Sequence, residues 1–172
     1  MKRLAALLLA VFALAGCVHV QSYDAAVDVH AFLVAVRDGD RAAFNAHVDR
    51  RALKAQLRAR LIEEVARSRG ADSFEALGAT LAGPLVDAGV EVLIQPEVFR
   101  AAASLAGYGP ETKIPNAAII SRQLRPMPDR RACVVVDRAC VFVFKEQDGV
   151  WRLIAFEGDL ATLRDRILRK RR

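Results

Sequence analysis

The sequence predicts an α+β fold in which N-terminal helices pack on a small C-terminal antiparallel β-meander, with a final C-terminal helix. Up to about residue 105, apolar residues recur every three or four positions, which is the spacing of an amphipathic helix. From Arg131 onward the pattern changes to segments rich in β-branched and aromatic residues, which favour strands. Asp148-Gly149 lies between two of these segments and is a strong hairpin signal.

Capping residues set the ends of the predicted helices. The first helix spans Tyr23–Asp38, and Gly39 follows it as a residue that ends helices. Asp40 is placed to cap a short helix over Arg41–Val48. Asp49 caps a longer helix that ends near Gly70, with the apolar stripe Leu53, Leu57, Leu61 and Val65. Further helices are predicted to begin near Ser73, Pro84 and Pro96.

The proline-rich stretch from Gly107 to Pro128 is predicted to be mostly loop, with one short element over Ala117–Leu124. Three strands then follow, over Ala132–Val136, Cys140–Lys145 and Val150–Phe156. Asp159 is placed to cap the C-terminal helix, which carries the apolar residues Leu160, Leu163 and Ile167.

Alternation along the last two strands assigns their side chains to two faces. One face carries Phe142, Phe144, Trp151 and Leu153, and the opposite face carries Val141, Val143, Ile154 and Phe156. Since both faces are apolar, helices are expected to cover much of the sheet.

The N-terminus reads as a bacterial lipoprotein signal peptide. Lys2 and Arg3 precede an uncharged apolar run, and Leu14-Ala15-Gly16-Cys17 matches the pattern of an aliphatic residue, two small residues and the lipid-acceptor cysteine. Residues 1–16 would then be removed and Cys17 acylated, with residues 17–22 as a lipidated tether and 23–172 as one domain. An ordinary cleaved secretory signal and an uncleaved signal anchor are the two alternatives.

Acylated Cys17 would hold the protein on a membrane, because two or three acyl chains give a stable anchor. The expected location is the bacterial cell envelope, facing the periplasm. Val18 follows the cysteine, whereas lipoproteins kept in the inner membrane favour Asp there, so the outer membrane is favoured.

The chain has a formal net charge of +6, and its last nine residues are rich in arginine. That tail could bind anionic head groups. A solvated helix end, where cations are favoured by the helix dipole, is the simpler interpretation. Nucleic-acid binding is a poor explanation, because the other basic residues are scattered over the helices.

Cys133 and Cys140 are the cysteines that remain beyond Cys17. An oxidising compartment favours a disulfide between them. A regular two-residue turn at Asp137-Arg138 would place them diagonally, at a backbone separation of about 7–8 Å, which is long for a relaxed bridge. A bulge or wider loop would be needed, so a disulfide and two buried free thiols both remain open.

Three segments carry a resemblance to a bacterial family of unknown function, DUF2939. The first runs from Tyr23-Asp-Ala-Ala through Ala35-Val-Arg-Asp-Gly-Asp40 to Val48-Asp and Leu53-Lys-Ala-Gln-Leu57. The second is Leu85-Val-Asp followed by Gln95-Pro96-Glu-Val-Phe99, and the third is Gly149-Val-Trp-Arg-Leu-Ile154. The resemblance implies the fold and an exported location, and no reaction.

A looser resemblance is to small exported domains of the NTF2-like α+β type. These also begin with a helix that ends in Gly-Asp and close on a strand like Gly149-Val-Trp-Arg. Such folds often enclose an apolar cavity, which the resemblance would extend to this chain.

No catalytic, cofactor or metal motif is evident. His19, His30 and His47 lack metal-ligand spacing, and the serines lack a nucleophile-elbow context. We therefore expect no enzyme activity, no cofactor and no metal, and a binding or envelope-maintenance role with an unidentified protein partner. The alternative is a carrier or sensor of a small apolar ligand, which a cavity lined by Phe142, Phe144 and Trp151 would favour.

Overall fold

The computed structural model describes residues 22–69, 84–105, 108–136 and 138–157. A first helix, α1, covers residues 22–38. The other helices are α2 (Arg41–Ala46), α3 (Arg50–Arg69), α4 (Pro84–Leu93), α5 (Pro96–Leu105) and α6 (Ala117–Ser121). The strands are β1 (Leu124–Met127), β2 (Arg131–Val136), β3 (Ala139–Gln147) and β4 (Val150–Phe156). Helices followed by an antiparallel sheet confirm the predicted α+β class.

The predicted capping residues lie where helices begin. The Asp40 side chain accepts hydrogen bonds from the backbone N–H groups of Ala42 and Ala43, and Gly39 precedes it at φ +72°. The Asp49 Oδ1 atom accepts from the Ala52 N–H at 2.9 Å at the start of α3. These bonds satisfy donors that a helix N-terminus leaves without partners.

The short helix α2 ends at Ala46, earlier than the predicted Val48. Val48 instead forms a parallel bridge with Leu153 of β4. The Leu153 N–H donates to the His47 carbonyl at 2.8 Å, and the Asp49 N–H donates to the Leu153 carbonyl at 3.0 Å. Pairing with the outer edge of β4 therefore stops the helix and attaches the helical part to the sheet.

The sheet has four antiparallel strands in the order β1-β2-β3-β4. The prediction of three strands is wrong at β1, because the sequence pattern places Leu124 in the short element and the residues after it, including Pro126, in a proline-rich loop. The structure accommodates Pro126 because β1 is an edge strand, where a missing N–H breaks no central ladder. The short element predicted over Ala117–Leu124 is a helix, α6, which ends earlier, at Ser121, and is capped by the Asn116 side chain.

A bulge changes the predicted faces of β4. The register shifts between Val143 and Phe144, so that Phe144 pairs with Leu153 but Phe142 pairs with Phe156. The assignment of Phe156 to the face opposite Phe142 was therefore wrong, and the two rings lie 5.4 Å apart. A bulge adds one residue to one strand, which reverses the alternation beyond it.

The core lies between the helices and one face of the sheet. Phe32 of α1 is at its centre, with its ring 5.6 Å from Phe44, 5.9 Å from Phe99 and 5.6 Å from Phe144. These four aromatic residues come from α1, α2, α5 and β3, so a single cluster joins most of the fold. Leu53 of α3 is buried in the same cluster and Leu57 packs against it. The side chains of the predicted stripe residues Leu61 and Val65 are not among those that the structure describes. The predicted helices that begin at Ser73 and Asp159 lie outside the described residues altogether.

We expect Phe32→Ala to lower the free energy of unfolding by about 3–5 kcal/mol, because it empties the centre of the aromatic cluster. Urea unfolding, monitored by circular dichroism, measures the change in unfolding free energy. Val92→Ala is the matched control, since Val92 is 62% exposed and its truncation should change stability by about 0.5 kcal/mol or less. Equal losses in the two variants would contradict the central position of Phe32.

Candidate functional site

A disulfide joins Cys133 of β2 to Cys140 of β3, with their Cα atoms 5.8 Å apart. The strands pair Val135 with Cys140, as a two-residue turn requires, but the register shifts between Val134 and Val135. Cys133 then pairs with Val143. The bulge lies between these two pairs, and the Cα separation of the cysteines is shorter than that of a regular diagonal pair and typical of disulfides.

Cys17, the predicted lipid acceptor, lies outside the described residues. Among the helices of the described ranges, none is long and apolar enough to cross a membrane. Cys133 and Cys140 are thus the two sequence-predicted site residues that the structure brings together, and both lie in the sheet.

The histidines within the described ranges, His30 and His47, lie apart on separate elements. The His30 Nδ1 atom donates to the Pro115 carbonyl at 2.8 Å, which connects α1 to the segment before α6. His47 follows α2, and its Nδ1 atom donates to the Ala43 carbonyl at 2.9 Å. His19 is outside the described residues. In the part of the chain that is described, no group of three or more His, Cys, Asp or Glu residues could hold a metal ion.

A polar contact that sequence reasoning missed joins α1 to the β3–β4 hairpin. The Asp28 Oδ2 atom accepts from the Trp151 N–H at 2.7 Å. The Asp28 Oδ1 atom lies 3.6 Å from the His47 Nε2 atom, which is beyond hydrogen-bond distance. No spacing pattern could have indicated this contact, because the three residues lie on separate elements. The contact has a structural role, because the Asp28 carboxylate accepts a hydrogen bond from a backbone N–H of the hairpin.

Asp49 lies at the same junction and is held by several donors. Burial alone would raise the pKa of its carboxyl group. Hydrogen bonds from the Ala52 N–H, the Gln147 Nε2 group and the Arg51 backbone outweigh that effect, and the pKa lies below its ordinary value. The Gln147 bond is 2.8 Å long and ties the β3–β4 hairpin to the start of α3.

Some charged residues on the basic face of α3 form ion pairs with α4. Arg50 and Lys54 both form ion pairs with Glu91, and Arg50 also donates to the Ile94 carbonyl at 2.9 Å. Hydrogen bonds from Lys54, which has the larger effect, and from Arg50 lower the pKa of Glu91. Part of this basic face therefore supports the packing of α4 against α3.

These features define a class of protein in which a helical layer packs on one antiparallel sheet. A disulfide joins β2 to β3, and polar contacts join the β3–β4 hairpin to the helices. A family model described as a protein of unknown function, DUF2939, matches residues 7–102. Because the match covers more than half of the chain, the protein belongs to the DUF2939 family. It includes the first two segments of the resemblance and ends before the third, Gly149–Ile154.

No curated protein matches the sequence, and no solved structure matches the fold. Membership of the family therefore assigns no reaction, ligand or partner to the chain.

Replacing Asp49 with asparagine should remove a pH-dependent contribution to stability while keeping a side-chain oxygen as the helix cap. The folded-state pKa of Asp49 is below its ordinary 3.8, so the ionised group stabilises the fold at neutral pH. Asp49→Asn should lower the unfolding free energy at pH 7 by up to about 1 kcal/mol. The difference from the wild type should shrink as the pH falls through the folded pKa.

Urea unfolding at a series of pH values between neutral and strongly acidic measures this difference. Asp24→Asn, which removes one charge at an exposed position of α1, is the control. A difference that grows in acid would contradict the role assigned to the Asp49 carboxylate.

Removing the disulfide with the double variant Cys133→Ser, Cys140→Ser should lower the unfolding free energy by about 2 kcal/mol, a modest value because the closed loop is short. Thermal or urea unfolding measures the loss. Reductant should destabilise the wild type similarly and leave the double variant unchanged. A wild-type midpoint that does not respond to reductant would argue that the bridge contributes nothing to stability.

Proposed function

We propose that this protein is a lipid-anchored protein of the bacterial cell envelope, acting as a non-enzymatic binding or envelope-maintenance module. Cys17 is the residue that carries the acyl chains. The domain would stand on the periplasmic side of the membrane, and Val18 favours the outer membrane over the inner one. Its partners would be membrane lipid, through Cys17, and an envelope protein.

The observation that carries the proposal is the N-terminal sequence, in which a basic start and an apolar run end at Leu14-Ala15-Gly16-Cys17. This order of charge, apolar run and small residues suits recognition and cleavage by export machinery. The acceptor cysteine directly after the small residues distinguishes a lipoprotein signal from an ordinary secretory one.

The disulfide gives independent support for export. Cys133 and Cys140 are bridged in the sheet. Disulfides persist in the periplasm and are rare in the cytosol, where thiols are kept reduced. A bridged pair beyond an export-like N-terminus is therefore consistent with a domain that works outside the cytosol.

Aromatic packing favours a binding module over a carrier of a small apolar ligand. Phe144 and Trp151 are 1% and 4% exposed and belong to the hydrophobic core. The Phe144 ring meets Phe32 edge-on, and Phe142 packs against Phe156. Of the side chains that would line a ligand cavity, Phe142 and Phe144 thus contact other rings and Trp151 is buried in the core, so binding is better assigned to the surface.

Metabolic labelling with a palmitate analogue tests the anchor. We expect the wild type to incorporate label and to fractionate with membranes. Cys17→Ser should lose the label, because the thiol is the attachment atom. Blocking free thiols before reduction should also show Cys133 and Cys140 to be oxidised in cells.

The double variant Cys133→Ser, Cys140→Ser is the matched control, since it loses cysteines without losing the acceptor, and it should keep the label. An unlabelled wild type that is soluble in the periplasm would overturn the anchor. A wild type with free thiols in the cytosol would overturn export itself.

A further inference from the structure

The helix α1 is apolar on two faces, only one of which packs in the core. Its inner face contributes buried residues that include Val29, Phe32 and Val36. Its outer face carries Tyr23 and Val27, which are 51% and 47% exposed, and continues to the partly exposed Val34. A helix on the outside of a domain normally has a polar outer face. The outer face of α1 therefore fits a contact with an apolar surface.

A second apolar segment lies beside this face. The hydrogen bond from His30 to the Pro115 carbonyl, 2.8 Å long, places Pro115 beside α1, and residues 116–121 continue the chain from that point. This segment contains no charged residue, and its Ile119 side chain is 48% exposed. We call Tyr23, Val27, Val34, Pro115 and Ile119 the outer α1 surface.

The part of the outer α1 surface that α1 itself contributes contains few charged residues. Between Tyr23 and Val34 the charged residues are Asp24 and Asp28. The Asp28 carboxylate binds the Trp151 N–H and is thereby turned towards the hairpin. Asp24 remains exposed at the border of the surface, where a side chain can reach water.

The position of this surface relative to Cys17 indicates what covers it. Five residues lie between Cys17 and Tyr23, and an extended chain covers at most about 3.6 Å for each of the six steps from one to the other. The first turn of α1 is therefore held within about 20 Å of an acyl-bearing Cys17 at the membrane surface. Neither a soluble ligand nor a partner protein would be held so near by the chain itself.

We propose that the outer α1 surface lies against the lipid bilayer, so that the domain rests on the membrane instead of extending away from it. This inference depends on the lipid anchor proposed at Cys17. Tyrosine is favoured at the boundary between lipid and water, and a shallow apolar helix face gains free energy by entering the head-group region. The contact would fix the orientation of the whole domain and leave its far side for protein partners.

Nitroxide labels on the acylated full-length protein test the orientation in vesicles of phosphatidylethanolamine and phosphatidylglycerol. Val27→Cys and Ile119→Cys report on the outer α1 surface, and Val92→Cys is the matched control. All three positions are exposed valine or isoleucine residues, and Val92 is on α4. Collision with a water-soluble nickel complex should be several-fold weaker at positions 27 and 119 than at position 92.

Equal collision rates at the three positions, in protein whose acylation is verified by mass spectrometry, would overturn the membrane contact and leave the anchor intact. Protein that carries no acyl group and does not bind vesicles would overturn the anchor together with the contact. Dipolar broadening at position 27 that disappears on dilution with unlabelled protein would assign the surface to a second copy of the chain, and would also overturn the proposal.

Discussion

The fold depends on the backbone pairing between residues 47–49 and the outer edge of β4. Leu153 donates to the His47 carbonyl and accepts from the Asp49 N–H, so that Val48 extends the sheet by one bridge. This pairing uses backbone groups of a strand edge that water would otherwise solvate, and it holds the end of α2 and the start of α3 at a fixed distance from the sheet. The side chains around it repeat the connection, because Asp49 binds Gln147 and Asp28 binds the Trp151 N–H.

The bridge explains why one aromatic cluster can serve two layers. Phe44 precedes the bridge in α2, and Phe144 lies in β3, beside the strand that the bridge engages. Phe32 touches both, and Phe99 of α5 completes the cluster. Elements that are distant in sequence are thereby fixed around one apolar centre.

Much of the fold follows from local sequence signals, and the exceptions have physical causes. Asp40 and Asp49 were predictable caps. Asp148-Gly149 was a predictable turn because Asp and Gly tolerate the positive φ that a two-residue hairpin turn requires, and both adopt it here. Strand β1 was missed because Pro126 opposes a strand unless the strand is at an edge. The two bulges were not predictable, since register depends on packing between strands. One decides the position of Phe156, and the other lies between the pairs that Cys133 and Cys140 form with the opposite strand. The Asp28 contact was missed because it depends on the tertiary fold alone.

Amide hydrogen exchange measures whether backbone pairing at β4 makes helices and sheet one cooperative unit. The Leu153 and Asp49 amides should exchange only through global unfolding, with the same opening free energy as the slowest amides of β2 and β3 and of α1. If the pairing joins the two layers, these free energies agree and all of them respond equally to urea. An Asp49 or α1 amide that exchanges through a smaller, urea-independent opening while the sheet stays protected would contradict it.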